Sequence, residues 1–194
     1  MDMRMQSEIV LNAQAELGEG PSWDDRNMVL YWVDILRGLV HFYEPLESRD
    51  TTVNVGKYVS SVVPKRSGGV AITLQHGFCT LNPKDGKAST VAEVEKHMAG
   101  NRLNDGKSDP AGRFWAGTMD MEEKNASGGL YFLERNKVHR VLEGVTISNG
   151  LGWSPDDRTM YYIDTPTRKV SAFDYDMKSG GVKNRRTVVD FGPD

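Results

Sequence analysis

The sequence predicts an all-β propeller of four-stranded blades from three observations. A turn-and-strand unit recurs every ~45 residues, the strand-like runs are short and bounded by Gly, Pro, Asn or Asp, and no long helical period is present. The repeat is clearest between Trp23-Asp-Asp-Arg-Asn-Met-Val-Leu-Tyr-Trp-Val-Asp34 and Trp153-Ser-Pro-Asp-Asp-Arg-Thr-Met-Tyr-Tyr-Ile-Asp164. Each has an aromatic, a polar turn containing Asp-Asp-Arg, and an apolar strand closed by Asp. Val63-Pro-Lys-Arg-Ser-Gly-Gly-Val-Ala-Ile72 and Asp109-Pro-Ala-Gly-Arg-Phe-Trp-Ala116 are weaker copies between them.

The remaining strands follow the same pattern. Leu39-Val-His-Phe-Tyr43, Gly77-Phe-Cys-Thr-Leu81, Leu130-Tyr-Phe-Leu133 and Val170-Ser-Ala-Phe-Asp-Tyr175 are β-branched or aromatic runs. Val91 to Met98, the best helix candidate, has no clear cap and reads as the outer strand of a blade followed by a loop. Trp23, Trp32, Trp115 and Trp153 recur at blade-core positions and are expected to pack between blades. Asp174-Tyr-Asp-Met-Lys-Ser-Gly180 has Lys where a third calcium ligand belongs and no flanking helices, so it is a hairpin turn. Functional groups are then expected on loops and strand ends near the axis.

Composition narrows the function classes. The 194 residues are 38% hydrophobic and 26% charged, with a formal net charge of −3. Both signs are interspersed, so no basic face for nucleic acid is implied, and a small molecule is the expected partner. Cys79 is the single cysteine and is expected as a buried thiol in a reducing compartment. No apolar run approaches the ~18 residues of a membrane span, and Met1 to Glu8 lacks the apolar core of a signal peptide. The expectation is a cytoplasmic protein with no membrane partner.

The densest chemistry lies in Arg102-Leu-Asn-Asp-Gly-Lys-Ser-Asp-Pro-Ala-Gly-Arg-Phe-Trp-Ala-Gly-Thr-Met119. Gly106-Lys107-Ser108 imitates the end of a phosphate-binding loop, but Asn101 stands where its first Gly is required. A turn follows where a helix should open, so a nucleotide site is not expected.

Gly18-Glu-Gly-Pro-Ser-Trp23, the segment Arg102 to Arg113, Ala116-Gly-Thr-Met119 and Ile147-Ser-Asn-Gly-Leu-Gly-Trp153 resemble the signature segments of the SMP-30/gluconolactonase/regucalcin family, in that family's order. The resemblance implies a six-bladed propeller that binds one divalent cation near its axis and, in its enzymatic members, opens sugar lactones. It implies Glu19, Asn104 and Asn149 as metal ligands, and Arg102, Asn104 and Glu122 as substrate-binding residues. The cation would be Ca²⁺, Zn²⁺, Mg²⁺ or Mn²⁺, since one carboxylate and two amide oxygens form a hard, low-charge set. The family's fourth ligand, an Asp and the favoured base, is expected beyond Asp194, so no catalytic residue is assigned within the chain.

Plainer roles stand beside these. Glu19 suits an ordinary loop, and Asn104 and Asn149 precede Asp and Gly as turn residues do. Arg102 has Asp105 or Asp109 as alternative partners. Glu123 or Asp120 could serve in place of Glu122, and Asp105 could shape the loop. His41, His76, His97 and His139 show no partner spacing and receive no role.

Residues 1–194 are expected to form one propeller domain, C-terminally incomplete, because ~45 residues per blade gives about four blades where six need roughly 270 residues. The family resemblance implies Glu8-Ile-Val-Leu-Asn-Ala13 as the ring-closing strand, without its partners. Self-association through open blade edges is therefore expected. Two functions remain: a metal-dependent hydrolase opening sugar lactones, or a non-catalytic Ca²⁺-binding propeller.

Overall fold

The structure, a computed structural model, describes residues 7–56 and 58–192. Blade 1 comprises β1 (Gly18–Asp24), β2 (Val29–Asp34), β3 (Leu39–Glu44) and β4 (Arg49–Asn54). Blade 2 comprises β5 (Val59–Pro64), β6 (Val70–Leu74), β7 (Gly77–Asn82) and β8 (Lys87–Glu93). Blade 3 comprises β9 (Asn101–Ser108), β10 (Phe114–Asp120), β11 (Gly128–Glu134) and β12 (Lys137–Val145). Blade 4 comprises β13 (Ser148–Trp153), β14 (Thr159–Asp164), β15 (Lys169–Asp176) and β16 (Gly181–Asp190). Every sheet is an antiparallel meander in sequence order. The first strands, β1, β5, β9 and β13, contact their counterparts in neighbouring blades and line the axis. These are the four blades expected from the repeat, and Val91 to Met98 is the end of β8 plus a loop, as expected.

Turn chemistry sets the hairpins. Arg135 and Asn136 join β11 to β12 with φ of 49° and 65°, the two left-handed residues of a turn whose twist matches its flanking strands. In the repeated Asp-Asp-Arg turns, the Asp24 carboxylate accepts the backbone N–H groups of Arg26 and Asn27, and that of Asp156 accepts the N–H of Arg158.

Apolar side chains from adjacent blades form the cores. Val33, Val40, Val62 and Ile72 meet between blades 1 and 2; Phe78, Leu103 and Phe114 meet between blades 2 and 3. Trp115, Leu130, Met160 and Tyr162 meet between blades 3 and 4. Burying each such side chain contributes about 1.5–3 kcal/mol. Trp115 is fully buried and packs edge-on against Trp153 and Tyr175 at ring separations of 5.7 and 6.3 Å. Trp32 stacks on His41 within blade 1. Trp23 departs from the expected packing: it is 47% exposed near the end of β1, where it borders a groove shared with blades 2 and 3. Residues 8–13 form no strand in this structure, and Ile9 and Val10 are exposed. Among the described residues, no helix is long and apolar enough to cross a membrane.

A buried polar network ties blade 3 to blade 4. The Asp109 carboxylate accepts hydrogen bonds from Arg113 N at 2.8 Å, Arg113 Nη1 at 3.1 Å, Trp115 Nε1 at 2.9 Å and the Tyr175 hydroxyl at 2.7 Å. Arg113 continues to the Met177 and Lys178 carbonyls in the β15–β16 turn and to Glu134. Burial, together with the bond to Asp109, pushes the Tyr175 phenol well above its ordinary range. Removing Asp109 breaks a buried ion pair, leaving Arg113 only the partly exposed Glu134 as a carboxylate partner, and takes the acceptor from the Trp115 and Tyr175 donors. Asp109→Ala should therefore destabilise the fold by about 3–5 kcal/mol in urea unfolding. Exposed Asp25→Ala should stay within about 0.5 kcal/mol. Equal effects from the two substitutions would refute the importance of this network.

Candidate metal and substrate site

The strand register brings the site residues to one level of the axis. Gly18 pairs with Asp34 and Glu19 with Val33; Ser148 pairs with Asp164 and Asn149 with Ile163. In blade 3 Asn101 pairs with Asp120 and Arg102 with Met119. Glu19, Asn149 and Arg102 therefore occupy the same position, second in an innermost strand, and Ser60 holds it in blade 2. In each blade the regular pairing breaks near this point, in a β-bulge. A bulge bends its strand and re-aims the adjoining side chains, as bulges beside active sites do. Gly20 and Gly150 follow Glu19 and Asn149 with φ of 59° and 45°. A side chain at Gly150 would be strained and would place Cβ 2.8 Å from Ile163 Cδ1.

Two repeated aspartates hold the chain entering these strands. Asp34 accepts the N–H groups of Glu16 and Leu17 at 2.9 and 3.1 Å. Asp164 accepts those of Thr146 and Ile147 at 3.2 and 2.9 Å. Each grip lies two residues before a candidate ligand, Glu19 or Asn149. Burial works to raise the Asp34 carboxyl, but the N–H groups of Glu16, Leu17 and Arg37 outweigh it and hold it below the ordinary aspartate value.

Asn104 is buried, and its Nδ2 donates to the Ser148 carbonyl at 2.8 Å, which joins β9 to β13 next to Asn149. Its Oδ1 accepts from Arg102 Nη1 at 2.7 Å. Asn149 Nδ2 donates to Thr165 Oγ1 at 3.2 Å. Both amide nitrogens are thus committed to protein acceptors, which leaves the two Oδ1 atoms as the outward acceptor ends. An amide oxygen has two lone pairs, so the bond from Arg102 leaves Asn104 Oδ1 capacity for another partner. With the exposed Glu19 carboxylate, this oxygen set fits a hard divalent cation whose shell is completed by water. Among the described residues no cluster of three or more His, Cys, Asp or Glu side chains could hold a metal. An amide-rich set is the alternative the sequence offers.

Arg102 is half-buried. Burial pushes its guanidinium below the ordinary arginine value, opposed by the charges of Glu123 and Glu19 and by Tyr58. An arginine remains charged at neutral pH regardless. Glu122 is placed differently from Arg102: its carboxylate is 72% exposed and pairs with Lys124 Nζ at 3.1 Å. Glu123, with φ of 59°, supplies the larger field on Arg102. Asp120 accepts from the backbone N–H groups of Glu122, Lys124 and Asn125 and shapes this loop. Asp105 stands beside Asn104 on β9; burial raises its carboxyl above the ordinary value, against the N–H groups of Gly106 and Gly150 and the charge of Lys107. Asp194 lies outside the described residues.

Sequence reasoning missed Glu95. It sits in the loop between blades 2 and 3 with φ of 49°. Its Oε1 accepts from the Tyr131 hydroxyl at 2.6 Å and Thr118 Oγ1 at 2.9 Å, and its Oε2 from Asn101 Nδ2 at 2.7 Å. Gln75 grips the other side, bonding the Ala99 and Asn101 carbonyls. Asn101, the residue next to Arg102, is therefore held twice from the side of blade 2. Thr118 of the Ala-Gly-Thr-Met segment gains a defined role in this network, but no sequence spacing pairs it with Glu95.

Comparison with known proteins shows the family. Residues 17–194 match the family model described as SMP-30/Gluconolactonase/LRE-like region. Regucalcin of Bos taurus is 42% identical over 187 residues, covering 93% of this chain and 62% of the relative. The Bacillus subtilis protein provisionally named sugar lactone lactonase YvrE is 34% identical over 188 residues, covering 96% and 64%. The solved structure of a calcium-binding protein, regucalcin, from Agrobacterium tumefaciens superposes with a TM-score of 0.86 at 26% identity, covering 91% of this chain and 60% of that one. The chain thus spans less than two thirds of the length of these relatives. With the family model matched over residues 17–194 and the signature segments on the inner strands of blades 1, 3 and 4, the chain belongs to the SMP-30/gluconolactonase/LRE-like family.

Proposed function

We propose that this chain carries the cation- and substrate-binding part of a hydrolase that opens sugar lactones. The observation that carries the reading is the shared register of Glu19, Arg102 and Asn149, with Asn104 bonded to both the Arg102 side chain and the Ser148 carbonyl. The family membership and the name of the Bacillus relative support the lactone as substrate.

Glu19, Asn104 and Asn149 would hold one divalent cation, Ca²⁺, Zn²⁺, Mg²⁺ or Mn²⁺. Such a cation supplies polarisation of the lactone carbonyl and a more acidic water. Arg102 presents a planar fork of donors to the sugar hydroxyls, anchored to the Leu103 carbonyl at 3.1 Å and to Asn104. Glu122, on the loop shaped by Asp120, is the proposed second substrate contact, with Glu123 beside it.

Hydrolysis of gluconolactone by the protein should stop on addition of EDTA and return with a divalent ion. Tight cation binding without turnover on a panel of aldonolactones would instead establish the calcium-binding alternative.

In the catalytically competent protein, Asn104→Ala should weaken cation affinity by at least about 10-fold and lower turnover. Arg102→Lys, which keeps charge but loses the fork, should mainly raise KM. Identical, near-wild-type kinetics for both variants across a range of metal concentrations would contradict the assignment.

Glu95→Gln should act at a distance. Turned toward Asn101 the amide nitrogen faces the Nδ2 donor, and turned toward Tyr131 and Thr118 it forces those hydroxyls to accept. In either pose the charge-assisted bonds of the carboxylate are lost, at a stability cost of about 1–3 kcal/mol. The loosened Asn101 should raise KM for the lactone more than it lowers kcat. A variant that melts lower but keeps a wild-type KM would show that Glu95 serves folding alone.

A further inference from the structure

We propose that the groove between blades 2 and 3, at the end of the axis opposite Glu19 and Asn149, binds a small organic phosphate. The site residues lie near the starts of the innermost strands, whereas the groove is lined by the turns that follow their ends. From Arg102 to Ser108 the strand advances about 20 Å, so the two places are separate. The groove encloses about 840 Å³, within the size range of small-molecule sites. Blades 2 and 3, which supply its charged lining, are complete four-stranded sheets, and Pro21, Ser22 and Trp23 of β1 border it on the side of blade 1.

Its charge is one-sided. Lys65, Arg66, Lys107 and Arg135 line it, and the sole acidic residue lining it among the described residues is Asp109. Asp109 contributes no neutralisation, because its fully buried carboxylate is already engaged by Arg113, Trp115 and Tyr175. Among the described residues, Lys65, Arg66 and Arg135 make no side-chain ion pair. Arg66 reaches across from blade 2 to the turn of blade 3, where a Cβ added to Gly112 would come within 3.8 Å of Arg66 Nη2. Glycine at 112, with φ of 88°, leaves that guanidinium edge open.

The chemistry selects the ligand class. A phosphate is near-dianionic at neutral pH and offers three acceptor oxygens, enough to engage two guanidinium forks and an ammonium together. Phe114 and Leu133 add an apolar wall against which a carbon skeleton can lie, which favours an organic phosphate over the inorganic ion.

The test is calorimetric titration of the 194-residue protein with glucose 6-phosphate in EDTA-containing, low-salt buffer. Saturable one-to-one binding is expected, weakening as salt rises, with glucose silent and inorganic phosphate clearly weaker. The double variant Arg66→Gln/Arg135→Gln should bind about 10-fold or more weakly at an unchanged melting temperature, since two charge-assisted contacts are lost from exposed side chains. Asn104→Ala should bind the probe as the wild type does, which keeps this result independent of the lactone site. Absence of saturable binding, equal affinity of the double variant, or equally tight inorganic phosphate would overturn the proposal.

Discussion

The β-bulge near the start of each innermost strand is the constraint on which the rest of the site depends. An unbroken strand sends successive side chains to opposite faces, so every second residue would be directed into a blade interface. The break in pairing after Glu19, after Leu103 and after Asn149 releases the strand from that alternation near one level of the axis. Gly20 and Gly150 provide the left-handed backbone at two of these points. A carboxylate, a guanidinium and an amide, far apart in sequence, thereby take equivalent places in three blades.

The repeat serves folding and function through the same atoms. Asp34 and Asp164 end the second strands of blades 1 and 4, and each clamps the peptide that leads into its own innermost strand. Blade 3 uses its corresponding Asp120 differently, gathering the loop that carries Glu122 and Glu123. Its entry is instead secured by Glu95 and Gln75 from the preceding blade. Blade 2 has Leu74 where the aspartate would stand, and its Ser60 hydroxyl is paired with Thr73. The blade without the aspartate places at this register a small hydroxyl that is already paired.

Much of this was legible in the sequence because the repeat is carried by local chemistry. Asp-Asp-Arg turns, short apolar runs and the closing Asp are visible without knowing what packs on what. The candidate ligands were legible through their signature segments. Their common register was not, since a bulge is defined by a partner strand and leaves only a Gly after Glu19 and Asn149 as a trace. Glu95 was hidden for a related reason: its three donors lie 6, 23 and 36 residues away, on three different strands. Trp23 misled because its repeat position matches that of Trp153, whereas burial depends on which surface a neighbouring sheet covers.

The electrostatics of the site follow from how few charges it holds. Glu19 and Glu123 both act on Arg102, and Arg102 is bonded to Asn104. A divalent cation on Glu19 and Asn104 would draw on the same two groups that Arg102 uses. Its binding would then raise the positive potential at the guanidinium and strengthen the demand of that group for sugar oxygens. An all-carboxylate cage would screen this effect, whereas a set with one carboxylate and two neutral amides leaves it in force. On the proposed reading the sparse donor set would couple cation and substrate at Arg102 through charge balance.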